Sequence, residues 1–185
     1  VAAPHGRRAP GGLGDGGGMG EVRRADDREV AREVAIKRLG GDNSDHQRRL
    51  LIEEARLQGR LDHPSIPPVY DLGVDDAGRP AFAMRRVTGT TLGALLAARA
   101  GDVGVSGRAT ERLLRVFVEV CRAIDHAHRR GVAHCDLKPG NVMVDDDDRV
   151  YVIDWGVATT FGQGDAAPQR RPGGTLGYMA PEQLD

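Results

Sequence analysis

Asp136, Lys138 and Asn141 fall within one short segment, His134-Cys135-Asp136-Leu137-Lys138-Pro139-Gly140-Asn141, and Asp154 follows directly after the apolar run 150–153. Two carboxylates, an amide oxygen and an ammonium suit a divalent metal together with phosphate, because Mg2+ is hard and shares its oxygen ligands with substrate phosphates. A second cation, Lys37, ends the apolar stretch Val34-Ala35-Ile36-Lys37. A strand that delivers an ammonium to an interior needs an anion there, and Glu53 and Glu54 in the next segment are the candidates. Taken alone, that tetrapeptide is also a strand end whose Lys snorkels to water.

The chain has 26 Lys+Arg residues, of which only Lys37 and Lys138 are lysine. An Arg-favouring genome explains the remainder. The two survivors stand where a compact ammonium, not a planar fork, is wanted. Seven glycines crowd residues 11–20, and Gly12-Leu13-Gly14-Asp15-Gly16-Gly17 satisfies G-x-G-x-x-G. Alone this match is weak, and a flexible linker is an equal reading. A dinucleotide-binding turn needs a strand before it and a helix directly after. Here Pro and Gly precede and a strand-like run follows, so the loop is read as folding over phosphates from between two strands.

The 185 residues suffice for one domain with a core. The net charge of -1 argues against nucleic-acid or anionic-membrane binding. Cys121 and Cys135 form no disulfide framework, which suits a reducing cytoplasm. No apolar run reaches the ~20 residues of a membrane span, and 1–10 has no signal-peptide character.

Stepping along the chain, 1–10 reads as a disordered tail. Strands are expected over 21–25 and 33–39, a helix over 45–61, then strands over 69–74 and 80–87. A short helix is expected over 92–100 and a long one over 110–130. The long helix is expected to bury Leu113, Leu114, Phe117, Val120, Cys121, Ile124 and Ala127, with Gly131 as its stop. A hairpin is expected from 142–144 and 150–153 around the acidic turn 145–148, and 155–174 reads as a long loop. Strands first and helices second give an α+β layout with two lobes.

In order and spacing, the motifs resemble the protein kinase signature. Asp154-Trp155-Gly156 and Gly177-Tyr178-Met179-Ala180-Pro181-Glu182 look like the bacterial branch of the eukaryotic-like (Hanks-type) Ser/Thr kinases. The resemblance covers 11–185. It implies a bilobal fold with a β-rich small lobe over 11–87 and an incomplete helical large lobe over 88–185, truncated after Ala-Pro-Glu. It also implies that Gly14, Gly16, Gly17, Gly18 and Gly20 cover the phosphates of ATP. Val22 and Ala35 would sandwich adenine, with Met84 behind it and Val87 in the hinge. Lys37 would hold the α/β-phosphates and pair with Glu54. Asp136 would be the catalytic base, Lys138 would neutralise the γ-phosphate, and Thr175 would pack on the catalytic loop. Asn141 and Asp154 would hold Mg2+, with Mn2+ as the alternative ion. The partners implied are a protein substrate with Ser or Thr, and a second copy for autophosphorylation, in the cytoplasm.

Some residues depart from the family pattern. The first loop glycine falls at Asp15, so Gly14 is assigned its role. Cys135 stands where relatives carry Arg, and a thiol cannot bind a loop phosphate. Trp155 replaces Phe as the apolar plug, and Gln58 stands where an apolar contact is common. A zinc site at His126, His128, His134 and Cys135 is set aside, since two residues apart on a helix point about 200° apart. The competing function is a pseudokinase, an ATP-binding scaffold or an inactive fragment. The complete set Lys37, Glu54, Asp136, Lys138, Asn141 and Asp154 favours the enzyme.

Overall fold

The structure, a computed structural model, describes residues 16–17, 20–40, 44–75, 77–99, 107–162 and 173–183. The expected tail, Gly14 and Gly18 lie outside them. The described chain is α+β, as expected, and divides into two compact units. One holds the described residues up to Asp62 together with Pro67–Arg86, and the other holds His63–Ile66 with those from Val87 onward.

The first unit is one antiparallel sheet and one helix. Its strands are β1 (Gly16–Gly17), β2 (Gly20–Asp27), β3 (Arg32–Arg38), β4 (Val69–Val74) and β5 (Pro80–Arg85), in the order β1-β2-β3-β5-β4. Helix α1 spans Asp45–Gly59 and begins where the Ser44 hydroxyl accepts from the Gln47 N–H at 3.3 Å. Strand β3 reads as a continuous apolar run because both faces of the sheet are covered. Ala25, Val34, Ile36, Ala81 and Ala83 cluster with Tyr70 on one face. Leu39 and Phe82 cluster with Leu51 and Ala55 of α1 on the other. Phe82 is fully buried, which is worth about 1.5–3 kcal/mol.

Gln58 is not the packing weakness its type suggests. It is buried, and its Nε2 donates to the Pro67 carbonyl at 2.7 Å and touches Met84 Sδ at 3.7 Å. Replacing it with Leu is expected to cost about 1–3 kcal/mol, since the Pro67 carbonyl loses its buried donor. Urea unfolding reads this directly; a midpoint raised in Gln58→Leu would show that the apolar residue fits better.

The second unit contains β6 (Thr90–Thr91), α2 (Leu92–Ala97), α3 (Gly107–Arg129), β7 (Val132–Ala133), β8 (Val142–Val144), β9 (Val150–Val152) and β10 (Thr159–Thr160). Strands β6-β8-β9 form one sheet and β10-β7 a two-stranded ribbon. The expected hairpin is present, and Asp145 closes its turn by accepting from Asp147 N–H and Arg149 N–H. The expected long loop is interrupted by β10, which pairs Thr159 with Ala133, and is followed by a 3-10 turn at Leu176–Tyr178.

The expected buried face of α3 is corrected. The residues buried are Val116, Val120, Ala123 and Ala127, at spacings of four, three and four. Leu114 and Phe117 are 59% and 63% exposed, and Cys121 is exposed. Val120 and Ala127 belong to the expected set, but the buried stripe lies to one side of it, and Leu114 is about 160° around the helix from Val116. Among the described residues no helix is long and apolar enough to cross a membrane.

Candidate active site

In the first unit, register decides which side chains share a face. Val22 pairs with Lys37 and Lys37 with Phe82, while Ala35 pairs with Met84. Directly opposed residues, and those two apart, point to the same side of a sheet. Val22, Ala35, Lys37 and Met84 therefore all point to the side on which α1 packs. From α1, Glu54 reaches the same place, and Lys37 Nζ donates to Glu54 Oε1 at 2.5 Å with both residues buried. The choice of Glu54 over Glu53 thus matches the geometry. Gly16 and Gly17 pair back onto Glu21 and Gly20. A Cβ on Gly20 would stand 2.9 Å from the Arg38 carbonyl oxygen, so the turn can lie this close to β3 only with glycine there.

In the second unit, the β8–β9 hairpin does the positioning. Val142 opposes Val152, and the pairing continues outward, with Ile153 N–H donating to the Asn141 carbonyl at 2.9 Å. This sets Asp154, the next residue, beside Asn141. Asp154 itself has left-handed backbone, φ 61°. Asn141 commits Nδ2 to Asp136, at 2.8 Å from its carbonyl oxygen and 3.1 Å from Oδ2. The amide oxygen of Asn141 and the carboxylate of Asp154 are hard oxygen donors of the kind that Mg2+ takes. Val87 follows β5 as the first residue of the second unit's main stretch.

Asp136, Lys138 and Thr175 form a closed cluster. Lys138 Nζ lies 2.8 Å from Asp136 Oδ2 and 2.6 Å from Thr175 Oγ1. Burial pushes the Asp136 carboxyl up, but hydrogen bonds from Lys138, Thr175 and Asn141 and the Lys138 charge outweigh it, so its pKa lies below 3.8. Lys138 and Asn141 donate to Oδ2, whereas Oδ1 is buried with no hydrogen-bond partner among the described residues.

His134 joins the two carboxylate-bearing segments. Its Nδ1 accepts from the Asp136 N–H at 3.3 Å, which makes Nε2 the protonated nitrogen, and Nε2 donates to the Ile153 carbonyl at 3.1 Å. Its ring packs on Trp155 at 4.6 Å between centroids; Trp155 is fully buried, its N–H donating to the Val152 carbonyl. Burial lowers the His134 pKa below 6.5, against the Ile153 hydrogen bond and the charges of Asp154 and Asp136. The sign follows: the unfolded chain binds the proton more readily, so the stability owed to neutral His134 is whole above 6.5 and declines as pH falls through the folded value. The stability gap between the parent and His134→Gln is expected to narrow on acidification past 6.5, measured by urea unfolding at a series of pH values. A gap that stays constant would mean that His134 keeps its ordinary pKa.

His126 packs on His63, His128 meets Phe161 edge-on, and the described residues contain no cluster of three or more His, Cys, Asp or Glu able to hold an ion.

A family model described as protein kinase domain matches residues 11–185. The chain belongs to the protein kinase family. Its similar relatives are bacterial Ser/Thr kinases. It is 37% identical over 175 residues to the DNA damage-responsive serine/threonine-protein kinase RqkA of Deinococcus radiodurans, covering 92% of this chain and 25% of that protein. It is 32% identical over 192 residues to serine/threonine-protein kinase PknD of Protochlamydia amoebophila, covering 90% of this chain and 20% of the relative. It is also 36% identical over 170 residues to PknE of Mycobacterium tuberculosis, covering 91% and 29%. The chain thus spans about a quarter of the length of the curated relatives it matches.

Within this kinase chain, sequence reading missed the side chains that hold the backbone of the site. Nothing local announces that the His134 ring grips the Ile153 carbonyl, whose N–H already donates to the Asn141 backbone carbonyl. The left-handed backbone at Cys135, φ 64°, is equally silent, because Cys is not among the residue types that favour it. The one usable signal was His134 itself, a polar residue inside an otherwise apolar approach to Asp136.

Proposed function

We propose that this chain transfers the γ-phosphoryl group of MgATP to a Ser or Thr hydroxyl of a protein, in the cytoplasm, a second copy of the chain being one acceptor. The Asp136 carboxylate carries the reading. Its lowered pKa keeps it ionised at neutral pH, and Oδ2 takes two donors while Oδ1 has none among the described residues. An acceptor held this way suits a substrate hydroxyl.

In this mechanism Oδ1 of Asp136 takes the hydroxyl proton as the substrate oxygen bonds to the γ-phosphorus. The bond from that phosphorus to the β–γ bridging oxygen breaks, and ADP departs with the electron pair. Lys138 meets the charge on the transferring group, and Thr175 holds Lys138 and Asp136 in register. Lys37, set by Glu54, binds the α/β-phosphates, and Gly14, Gly16, Gly17, Gly18 and Gly20 cover them. Val22, Ala35, Met84 and Val87 line the adenine site. Asn141 and Asp154 would hold Mg2+, or Mn2+, which when bound offsets phosphate charge. Most of the rate comes from positioning and charge neutralisation. The test is incubation with γ-labelled ATP and Mg2+, beside Asp136→Asn and Lys37→Met. Label on Ser or Thr in the parent alone supports the proposal; equal label in all three defeats it and leaves an ATP-binding scaffold.

A further inference from the structure

The peptide group that joins Cys135 to Asp136 is held at both ends by side chains. Its N–H donates to His134 Nδ1 at 3.3 Å, and its carbonyl, that of Cys135, accepts from Gln183 Nε2 at 3.0 Å. Gln183 lies 48 residues further along, in the 3-10 turn Pro181–Gln183. The orientation of its amide is set, because Oε1 accepts from the Ala180 N–H at 3.1 Å and that group can only donate. The same Cys135 carbonyl is approached from the neighbouring residues: a Cβ on Gly174, whose φ is 127°, would stand 3.1 Å from that oxygen and 2.7 Å from Met179 Cε. Lys138 meets Thr175 at 2.6 Å one residue beyond. The held peptide is also strained at its start, because Cys135 sits at φ 64°, a conformation that a non-glycine residue keeps only when its surroundings enforce it.

We propose that Gln183 is a positioning residue for phosphoryl transfer. By gripping the Cys135 carbonyl it fixes the peptide plane that carries Asp136, so the aim of the base depends on residues 173–183 being docked. The inference rests on Asp136 being the base. A base displaced by even 1 Å loses up to about 100-fold in rate, so a single hydrogen bond on its backbone is well placed to act. Gln183 touches neither substrate nor the reacting atoms in this scheme, and its own side chain is exposed. Its removal therefore acts on turnover and leaves the fold intact.

The test compares Gln183→Glu and Gln183→Leu with the parent in the full-length protein. Glu keeps the oxygen that accepts from Ala180 and nearly the same volume, but turns the donor to Cys135 into a charged acceptor, whereas Leu removes the donor without adding charge; a loss shared by both variants is the loss of that hydrogen bond. Both variants are expected to lower kcat about tenfold, the scale of one ordinary hydrogen bond. KM for ATP and the melting temperature should stay at parental values, and the Asp136 amide should exchange with deuterium faster. A Glu variant with parental kcat and parental amide exchange overturns the proposal. Asp136→Asn is run alongside. If it is as active as the parent, the base assignment is what fails, and the exchange rate of the Asp136 amide still decides whether Gln183 grips the peptide.

Discussion

Asp136→Asn is expected to lower MgATP-dependent phosphorylation by about 10²–10⁴-fold, the range a positioned general base supplies. The substitution keeps the shape of the side chain and replaces an acceptor oxygen by an amide. The buried Oδ1 then has no charge with which to draw a hydroxyl proton. KM for ATP should stay within a few-fold, since the residue holds no phosphate in this scheme. The fold should survive, because Lys138 keeps Thr175 as a partner and is itself part-exposed. Steady-state rates with γ-labelled ATP are the measurement. A rate within a few-fold of the parent would remove Asp136 from the role of base and transfer attention to positioning alone. The depressed pKa adds an acid-side signature. Stability owed to the Asp136 carboxylate is present above 3.8 and is lost as pH falls through its lower folded value, so Asp136→Asn flattens stability in that acid window and nowhere else.

Lys37→Met is expected to act on stability as well as activity, which distinguishes it from Asp136→Asn. Lys37 and Glu54 are 7% and 4% exposed and lie 2.5 Å apart. Removing one partner of a buried pair leaves the other charge without its counter-ion, at a cost of about 3–5 kcal/mol. Exchanging both for apolar residues is often neutral. Lys37→Met with Glu54→Met is therefore expected to recover most of the stability lost by Lys37→Met, yet none of the phosphorylation, because the ammonium proposed to hold the α/β-phosphates is still missing. Urea unfolding of the two single variants and the double variant gives the coupling directly. Additive losses would show that the pair is not energetically joined. Recovery of labelling along with stability would show that Lys37 serves the fold and not ATP. Lys37→Arg is a sharper probe of the compact charge: the guanidinium keeps the sign but needs room for a planar fork. The chain writes 24 of its 26 cations as Arg, and Lys37 and Lys138 are the two that it does not.

Much of the site could be read along the chain. The strand 69–74 and the turn at 145–148 came from apolar runs bounded by Pro, Gly and Asp, signals carried by neighbouring residues. The Lys37–Glu54 pair was legible because an ammonium at the end of a buried run must meet an anion, and the middle of α1 offers Glu53 and Glu54. Gln58 shows the limit. Its residue type suggested a weak spot, and only the position of the Pro67 carbonyl reveals a satisfied buried amide.

By itself the sequence determined which chemical groups are present, their order, the α+β class and the family, because periodicity and motif spacing are local properties of the chain. The tertiary structure decided what depends on a distant partner. The stripe of α3 that is buried, Val116, Val120, Ala123 and Ala127, was set by what packs against it and not by which residues are apolar. The two-residue strands β6, β7 and β10 exist only as pairings across the chain, too short to show a period. The left-handed Cys135 and the grip of Gln183 on its carbonyl have the same origin: a strained backbone at a residue type that does not favour it persists only where its surroundings enforce it.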